Sequence, residues 1–237
     1  MDAEQRTAGS GGARRFAALR SRARDRLGRR RPAPIYAAPP RWHALALTFD
    51  DGPSEWTAPI LDLFATHGGH ATFFVLGAAV AGCEDVLRRA LAEGHELGNH
   101  TFAHHDPGTL DEPELRRELS RGAEAIATAV GTAPTLVRPP YCGDGERVAR
   151  VAAEGGFGRT ILRSVDPADW RTPDADAIAE HVLAEAVAGS IVCLHDGVSP
   201  RNSGLASRES TVRALELLLP ALLQRGYRLV TVSELLR

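Results

Sequence analysis

The sequence contains no lysine, only three cysteines and no long apolar run. Cys83, Cys142 and Cys193 are an odd number without CxxC spacing, which argues against a disulfide framework and against a zinc site built from thiolates. No stretch approaches the ~20 apolar residues that a helix needs to cross a bilayer. We therefore expect no membrane span. The GxGxxG and GxxxxGKS/T patterns follow none of the strands predicted below, which disfavours nucleotide-binding folds.

All basic charge is carried by arginine, and it is unevenly distributed. Residues 1–41 hold 11 Arg against 3 acidic residues, a balance of +8, whereas residues 42–237 hold 17 Arg against 27 acidic residues, a balance of −10. The first segment has little hydrophobic content and is predicted to be a disordered tail that is dispensable for chemistry. Such a tail would suit nucleic acid or anionic polymers of the cell envelope, but a solvated extension is the simpler interpretation, and nucleic acid is not the expected partner.

The N-terminal arginines are not followed by the apolar core of about 7–15 residues that a secretory signal requires. We therefore expect a cytoplasmic protein, with export by another route left open. The length of 237 residues and the hydrophobic content of 43% suit one large domain, which we place at residues 42–237. Nothing in the sequence indicates the oligomeric state.

From Trp42 onward, segments typical of strands and helices alternate without a dividing linker. This alternation implies a parallel sheet covered by helices, and the number of residues favours a barrel over an open doubly wound sheet. The predicted class is therefore α/β, with a barrel of seven strands. The predicted strands are 43–49, 71–75, 95–98, 135–138, 160–165, 191–194 and 227–232, and the predicted helices are 57–67, 84–93, 112–130, 145–154, 174–187 and 209–225.

Five polar motifs directly follow predicted strands. In parallel α/β proteins, sites are assembled at the carboxyl ends of the strands, so we expect the five motifs to meet on one face. The motifs are Asp50-Asp51, the HTFAH run at residues 100–104, the RPPY run at 138–141, the DPADW run at 166–170 and His195-Asp196.

Two of these motifs have the spacing of a metal site. Side chains of consecutive strand residues point to opposite sides, so Asp50 and Asp51 reach one site only if the chain turns, which the following Gly-Pro pair allows. His100 and His104 are four residues apart, which brings both imidazoles to one face of a helical turn. With an acid from another strand end they give three ligands and an open position, as in catalytic zinc sites. The alternative for the two aspartates is a loop in which one caps the next helix and the other is solvated, and the spacing of the two histidines is weak evidence by itself.

The other motif residues also have structural alternatives. His195 ends an apolar strand, where it is either functional or a core histidine bonded to a backbone carbonyl. Arg138 precedes a Pro-Pro turn and is either functional or half of a structural ion pair. Trp170, beside two acids, suits either a platform for a sugar ring or the core. We expect His95 and His105 to be surface or core residues rather than ligands.

In this order, the five motifs resemble those of the polysaccharide deacetylases with the NodB homology domain, carbohydrate esterase family 4. The resemblance covers about residues 43–236. The family fold is a distorted (β/α)7 barrel, which agrees with the seven predicted strands. The resemblance implies a hydrolase that removes N-acetyl groups from an amino sugar or its polymer, with a divalent metal that is usually zinc, although cobalt and similar ions also serve.

The resemblance also implies the metal ligands, the base and the acid. Asp51, His100 and His104 would hold the metal. Asp50 would be the general base, and His195 would be the general acid that protonates the leaving amine. Amide hydrolysis needs these parts independently of the resemblance, because water must be activated and the leaving nitrogen must gain a proton.

Supporting roles follow in the same way. Arg138 would pair with Asp50, and the backbone N–H of Tyr141 would help to bind the oxyanion. Asp166, in preference to Asp169, would be bonded to the second nitrogen of His195. The residues expected to bind substrate are Tyr141, Asp169, Trp170, Cys193 and Leu194.

Two positions depart from the family pattern. Cys142 stands where the family commonly has glycine, and Cys193 stands where it usually has a leucine that lines the acetyl pocket. Strand alternation places Cys193 on the same side as His195. These departures leave the expected catalytic residues intact and bear on acyl specificity instead.

Two alternatives to a polysaccharide deacetylase remain at this point. One is a small-molecule amidase of secondary metabolism that uses the same barrel, which the missing signal peptide makes more plausible. The other is a non-catalytic module that binds glycans or anionic polymers, with the arginine-rich tail as a contact. The intact base, acid and ligands argue against this second alternative.

Overall fold

The computed structural model describes residues 32–40, 42–199 and 204–237. Within them, seven mutually parallel strands form one curled sheet. The strands are β1 (Ala44–Asp50), β2 (Thr72–Val75), β3 (Glu96–Asn99), β4 (Leu136–Val137), β5 (Arg159–Thr160), β6 (Ile191–His195) and β7 (Arg228–Leu229). The spatial order is β5-β4-β3-β2-β1-β6, and β7 pairs with the start of β1.

Seven α-helices accompany the sheet in the described residues. The longest begins with a capping box, in which Asp111 accepts from the Glu114 N–H and the Glu114 side chain accepts from the Asp111 N–H, and it ends at Gly131 with a φ of 79°. The helices are α1 (Thr57–His67), α2 (Glu84–Ala92), α3 (Glu112–Val130), α4 (Gly145–Glu154), α5 (Ala175–Glu185), α6 (Glu209–Gln224) and α7 (Val232–Leu235).

The central strand β1 separates the main apolar core from the barrel interior, which holds a smaller apolar cluster and a buried arginine. All seven of its residues are buried. Leu45, Leu47 and Phe49 belong to the main hydrophobic cluster, which includes residues of α1, α5 and α6. The alternate residues Thr48 and Asp50 meet a buried arginine instead. Strand alternation therefore gives β1 a stabilising face and a functional face.

The segment after β5 curls the sheet into a distorted barrel. Ser164 N donates to Ile191 O over 3.0 Å, and Cys193 N donates to Val165 O over 2.9 Å. These bonds hold the segment that follows β5, at one edge of the sheet, against β6 at the other edge. The sheet is therefore partly closed into a barrel. The predicted α/β barrel of parallel strands is confirmed.

Two predicted strands are shorter than expected. The strand predicted over 160–165 is regular only at Arg159–Thr160, and contacts with β6 resume at residues 164 and 165. The strand predicted over 227–232 ends after Leu229, because the Thr231 side chain caps a new helix by accepting from the Glu234 N–H. The local capping box therefore overrides the β-branched character of this segment.

Residues 32–40, which the sequence assigned to the tail, run along the barrel. Ile35 N donates to Thr160 O over 2.9 Å, and Leu162 N donates to Ile35 O over 2.7 Å. Ala38 is buried, and its N–H donates to Gly189 O. The predicted disorder of residues 1–31 lies outside the described residues. Within the described part of the chain, no helix combines the length and apolar character needed to span a bilayer.

These contacts predict that the domain needs residues 32–40. We expect a chain of residues 42–237 to be less stable than one of residues 32–237 by about 2–4 kcal/mol, from three lost backbone hydrogen bonds and the lost packing of Ile35 and Ala38 against the barrel. The urea midpoint of unfolding measures the difference. Equal midpoints for the two chains would show that the segment adds nothing to the barrel.

Candidate active site

A cavity of about 200 Å³ opens at the carboxyl ends of the strands. Asp50 and His195 are register partners at the ends of β1 and β6, so the two strands hold them side by side. Asp51, His100 and His104 line the same cavity. The predicted meeting of motifs on one face is therefore present in the fold.

Asp51 and the two histidines form a compact buried cluster. Asp51 has a φ of 74°, so the chain turns directly after β1 and brings this carboxylate to the cavity beside Asp50. Asp51 Oδ1 lies 3.1 Å from His104 Nε2 and 3.5 Å from His100 Nε2. Burial raises the pKa of Asp51, but the nearby His104 and His100 outweigh burial and bring the pKa to about 2, so the carboxylate is ionised.

The chemistry of this cluster fits a divalent metal. Asp51 Oδ1 is buried and, despite its short distances, has no partner in hydrogen-bond geometry. His100 Nδ1 lies 2.9 Å from Arg138 O, which accepts only, so Nδ1 carries the proton and the Nε2 lone pair points to the cluster. One carboxylate and two imidazoles are the ligand types that zinc and similar ions take in catalytic sites.

A loop, rather than the predicted helical turn, brings His100 and His104 together. Thr101 and His104 have φ values of 71° and 58°, which no α-helix contains. Asn99 Oδ1 accepts from Thr101 N over 2.9 Å, and Glu118 of α3 accepts from Ala103 N over 2.8 Å. The prediction of one helical face was therefore wrong, because side chains outside the HTFAH run fix its shape.

Asp50 is held by an arginine buried inside the barrel. Arg138 Nη1 donates to Asp50 Oδ1 over 2.8 Å and to Thr48 Oγ1 over 2.7 Å, while Nη2 donates to Leu162 O over 2.9 Å. Burial raises the pKa of Asp50, but the charge of Arg138 is the main opposing effect, and the net pKa lies below the usual value. Asp50 is therefore an ionised carboxylate whose second oxygen, Oδ2, remains for proton transfer.

Asp169, rather than Asp166, supports His195. Asp169 Oδ1 lies 2.7 Å from His195 Nδ1, and Oδ2 accepts from the His195 backbone N–H and from Thr211 Oγ1. Asp166 instead pairs with Arg163 over 2.7 Å. The preference for Asp166 was wrong, since sequence alone could not tell which of two nearby acids reaches β6.

The contact with Asp169 has a strong effect on His195. Burial lowers the pKa of His195, but the Asp169 charge and hydrogen bond outweigh burial and raise the pKa to about 9. The imidazole is therefore protonated at neutral pH. With Nδ1 bonded to Asp169, Nε2 is the ring nitrogen that is left for the cavity.

Asp196 holds the turn that carries Asp51, a role that the sequence did not suggest. Its Oδ1 accepts from Gly52 N over 3.1 Å, and its Oδ2 accepts from Thr57 Oγ1 over 2.6 Å. Gly197 lies so close to the same turn that a Cβ there would be 2.2 Å from Asp51 O. The motif His195-Asp196 and the following Gly197 therefore place a candidate acid at the cavity and also fix the neighbouring loop.

The expected substrate-binding residues are only partly at the cavity. Tyr141, Trp170 and Cys193 line it, and Tyr141 is half exposed. Leu194 packs in the main hydrophobic cluster on the opposite side of β6, because alternation turns it away from the cavity. Asp169 is fully buried and bonded to His195. Both Leu194 and Asp169 were therefore wrongly assigned to substrate binding, and the oxyanion role of Tyr141 stays a prediction.

Arg163 was missed as a cavity residue. It lines the cavity beside Cys142 and forms an ion pair with Asp166. It falls inside the strand predicted over 160–165, so no sequence pattern placed it at a strand end. The only signal was an arginine three residues before an aspartate, which is weak by itself.

A larger cavity of about 330 Å³ lies at the other end of the barrel, near the start of β3. Its lining residue Glu96 already accepts hydrogen bonds from Thr72 Oγ1 and from the Ser233 backbone N–H and side-chain hydroxyl. The smaller cavity at the carboxyl ends brings Asp50 and His195 together with the Asp51, His100 and His104 cluster, so it is the candidate active site.

The contact between Asp169 and His195 predicts a shift in the pH dependence of catalysis. A general acid with a raised pKa stays protonated, so the rate should fall only as the pH rises through about 9. Asp169→Asn removes the charge that raises the pKa, and the alkaline limb of kcat should move to lower pH. Asp166→Asn is the matched control and should leave that limb in place. Rate profiles in which Asp166→Asn shifts the limb and Asp169→Asn does not would contradict the assignment.

A curled parallel α/β barrel with a carboxylate base, a histidine acid and an Asp-His-His cluster at its carboxyl ends is typical of metal-dependent hydrolases. The model of the polysaccharide deacetylase family matches residues 38–159. The chain belongs to this family.

Three relatives illustrate this similarity. The chain is 40% identical to a chitooligosaccharide deacetylase of Bradyrhizobium over 80% of this chain and 89% of the relative. The crystal structure of the peptidoglycan N-acetylglucosamine deacetylase Bc1960 is similar, with a TM-score of 0.79 and 33% identity over 86% of this chain and 92% of that chain. A CE4 family pseudoenzyme from Bacillus anthracis has a TM-score of 0.77 and 28% identity over 87% of this chain and 69% of that chain.

Proposed function

We propose that this chain is a divalent-metal-dependent N-deacetylase that hydrolyses the acetamido group of an N-acetylated amino sugar or glycan and releases acetate. The observation that carries the proposal is the pairing of Asp50 with His195 across β1 and β6, beside the Asp51, His100 and His104 cluster. A base and an acid with different partners stand next to a ligand set in one cavity. A non-catalytic protein has no need to retain the base, the acid and the metal ligands together.

Each residue has a distinct part in the proposed reaction. A divalent cation held by Asp51, His100 and His104 would polarise the acyl oxygen and acidify water. Asp50 takes the proton of the attacking water through Oδ2 while Arg138 holds Oδ1. This division of the carboxylate keeps the base oriented during proton transfer.

His195 completes the reaction at the leaving group. Its Nε2 gives a proton to the sugar nitrogen as the C–N bond breaks, and Asp169 stabilises the imidazolium before that step. The amine then leaves in neutral form, and acetate remains as the second product. The raised pKa of His195 keeps the acid in its charged form at neutral pH.

The relatives and the rim of the cavity support a glycan as substrate. One relative is a chitooligosaccharide deacetylase, and another is a peptidoglycan N-acetylglucosamine deacetylase. Tyr141 and Trp170 add aromatic surface to the cavity, which suits the apolar face of a sugar ring. The volume of about 200 Å³ suits the acetamido group and the ring that carries it.

Acetate release by zinc- or cobalt-loaded protein tests the proposal. The substrates to compare are chitooligosaccharides, peptidoglycan and small acetamides. Hydrolysis of at least one glycan with a higher kcat/KM than the small acetamides is expected. Hydrolysis of small acetamides alone would favour an amidase of small molecules. Glycan binding without acetate release from metal-loaded protein would favour a non-catalytic module, as in the pseudoenzyme of similar fold.

A further inference from the structure

A second trio of metal-ligating side chains lies beside the first. Asp50, Cys193 and His195 each offer a ligand atom, and these atoms lie within 4.8 Å of one another. Cys193 Sγ is 3.4 Å from Asp50 Oδ2. Cys193 and His195 are two residues apart on β6, and Asp50 is the register partner of His195 on β1. Two adjacent parallel strands therefore hold the trio rigidly.

The hydrogen bonds around the trio leave one ligand atom of each side chain for a cation. Arg138 occupies Asp50 Oδ1, so Oδ2 remains. Asp169 occupies His195 Nδ1, so Nε2 is the nitrogen that a cation would bind after displacing its proton. A histidine whose other nitrogen is bonded to a carboxylate is the usual arrangement of a metal-ligating histidine.

The surrounding charges allow a second cation. Asp50, Asp51 and Asp169 are buried carboxylates, and deprotonated Cys193 would add a fourth negative charge. Arg138 and Arg163 are the guanidinium groups that face the cavity, Asp166 pairs with Arg163, and His195 is protonated while no cation is bound. A cation that displaces the protons of His195 and Cys193 leaves four carboxylates and one thiolate against two guanidinium groups and the first divalent cation. This balance is still negative and favours a second cation.

Cys193 decides which cations would bind. Cys193 is buried beside Asp50, and a cation that binds its sulfur displaces the thiol proton to solvent. Thiolate is a soft ligand that selects zinc over magnesium or manganese. A leucine at this position would leave only two ligands, and no such trio would form.

We propose that Asp50, Cys193 and His195 form a second zinc site that inhibits the enzyme. The site is separate from the Asp51, His100 and His104 cluster and takes soft divalent cations. Zinc in this site engages the base and the acid at once, so neither transfers a proton. The inhibitory consequence rests on the proposed deacetylase function, whereas the binding of a second zinc does not.

The number of bound zinc ions tests the site directly. Metal-free full-length protein is titrated with zinc, and the zinc that stays with the protein is measured after gel filtration. We expect two zinc ions per chain in the wild type and one in Cys193→Ser, which replaces only the sulfur. Cys83→Ser is the matched control, since Cys83 lies outside the cavity and should leave two ions bound.

Cobalt reports the identity of the ligand. In the wild type, the second equivalent of Co²⁺ should produce a sulfur-to-cobalt charge-transfer band, because a thiolate enters the coordination sphere. Cys193→Ser should lack this band, and Cys142→Ser should keep it. Loss of the band in Cys142→Ser, with retention in Cys193→Ser, would identify the other cavity thiol as the ligand and overturn the assignment.

Inhibition is the functional readout. Acetate release by the wild type should fall about tenfold or more between one and two equivalents of zinc, because base and acid catalysis are both lost. Excess magnesium should have no such effect. In Cys193→Ser the ratio of rates at two and one equivalents should stay near one, whereas Cys83→Ser should be inhibited like the wild type.

Several results would overturn the proposal. They are a single bound zinc in the wild type, two zinc ions in both wild type and Cys193→Ser, or a second zinc without a cobalt–sulfur band. If Cys193→Ser loses the circular dichroism of the folded chain, Cys193→Ala serves instead. If no substrate is hydrolysed, the proposed function fails, but zinc stoichiometry and the cobalt band still decide the second site.

Discussion

A chain that carries both His100→Ala and His104→Ala should lose its catalytic metal and its deacetylase activity together. Asp51 would be the only remaining ligand of the cluster, and one carboxylate in this position does not hold zinc against a chelator. The measurement, made in a Cys193→Ser background that lacks the proposed second zinc site, is metal content after chelation and addition of one equivalent of zinc, followed by acetate release. We expect activity to fall to the background rate.

The control for this variant is His105→Ala. His105 lies next to His104 in sequence, but its Nδ1 is 3.5 Å from Glu118 Oε1 and it does not line the cavity. The control should bind one catalytic zinc and hydrolyse the substrate. Full zinc occupancy of the His100→Ala/His104→Ala chain after one equivalent, with activity retained, would refute the ligand assignment.

Replacement of the base should have the second largest effect. Asp50→Asn keeps the shape of the side chain but removes the oxygen that takes the proton, so kcat should fall by about 10²–10⁴. The catalytic metal should remain bound, because Asp51, His100 and His104 are unchanged. Parallel measurements of kcat and zinc content separate loss of the base from loss of the metal.

The same variant should also be less stable. Arg138 is fully buried, and Asp50→Asn removes the carboxylate that balances its charge. Removal of one partner of a buried ion pair costs about 3–5 kcal/mol, and the amide oxygen should recover part of this. Asp62→Asn is the surface control, since Asp62 pairs with Arg89 in an exposed contact and should change neither kcat nor the urea midpoint. An Asp50→Asn chain with wild-type kcat would exclude Asp50 as the base.

The sequence predicted the position of most candidate site residues because the relevant signals are local. The alternation of apolar residues in β1 located Asp50 at a strand end, and the Gly-Pro pair indicated the turn at Asp51. His95 was correctly excluded as a ligand: it is buried at the core, and its Nδ1 accepts from Ala71 N over 3.0 Å. Alternation in β6 also placed Cys193 on the cavity side.

The remaining features depend on contacts between distant segments. The choice between Asp166 and Asp169 is made by β6 and by Thr211 of α6, which lie far along the chain. The shape of the HTFAH loop is set by Asn99 and Glu118 rather than by its own residues. Periodicity and motif spacing do not report such contacts, so the pairing of Asp169 with His195 was predicted incorrectly.

Arg138 constrains the order in which this active site can be lost during evolution. Most parallel barrels fill their interior with aliphatic side chains, whereas this one encloses a guanidinium that also stacks 4.1 Å over the Phe74 ring. A mutation that removes Asp50 first leaves an unbalanced charge in the interior and weakens the fold together with catalysis. If Arg138 is first replaced by an apolar residue, Asp50 becomes a buried carboxylate without its guanidinium partner. For a lineage that drifts toward a non-catalytic role, the least destabilising change is therefore the paired replacement of Asp50 and Arg138. Replacement of His195 is the other, because Asp169 would still accept hydrogen bonds from Thr211 and from the backbone N–H of residue 195.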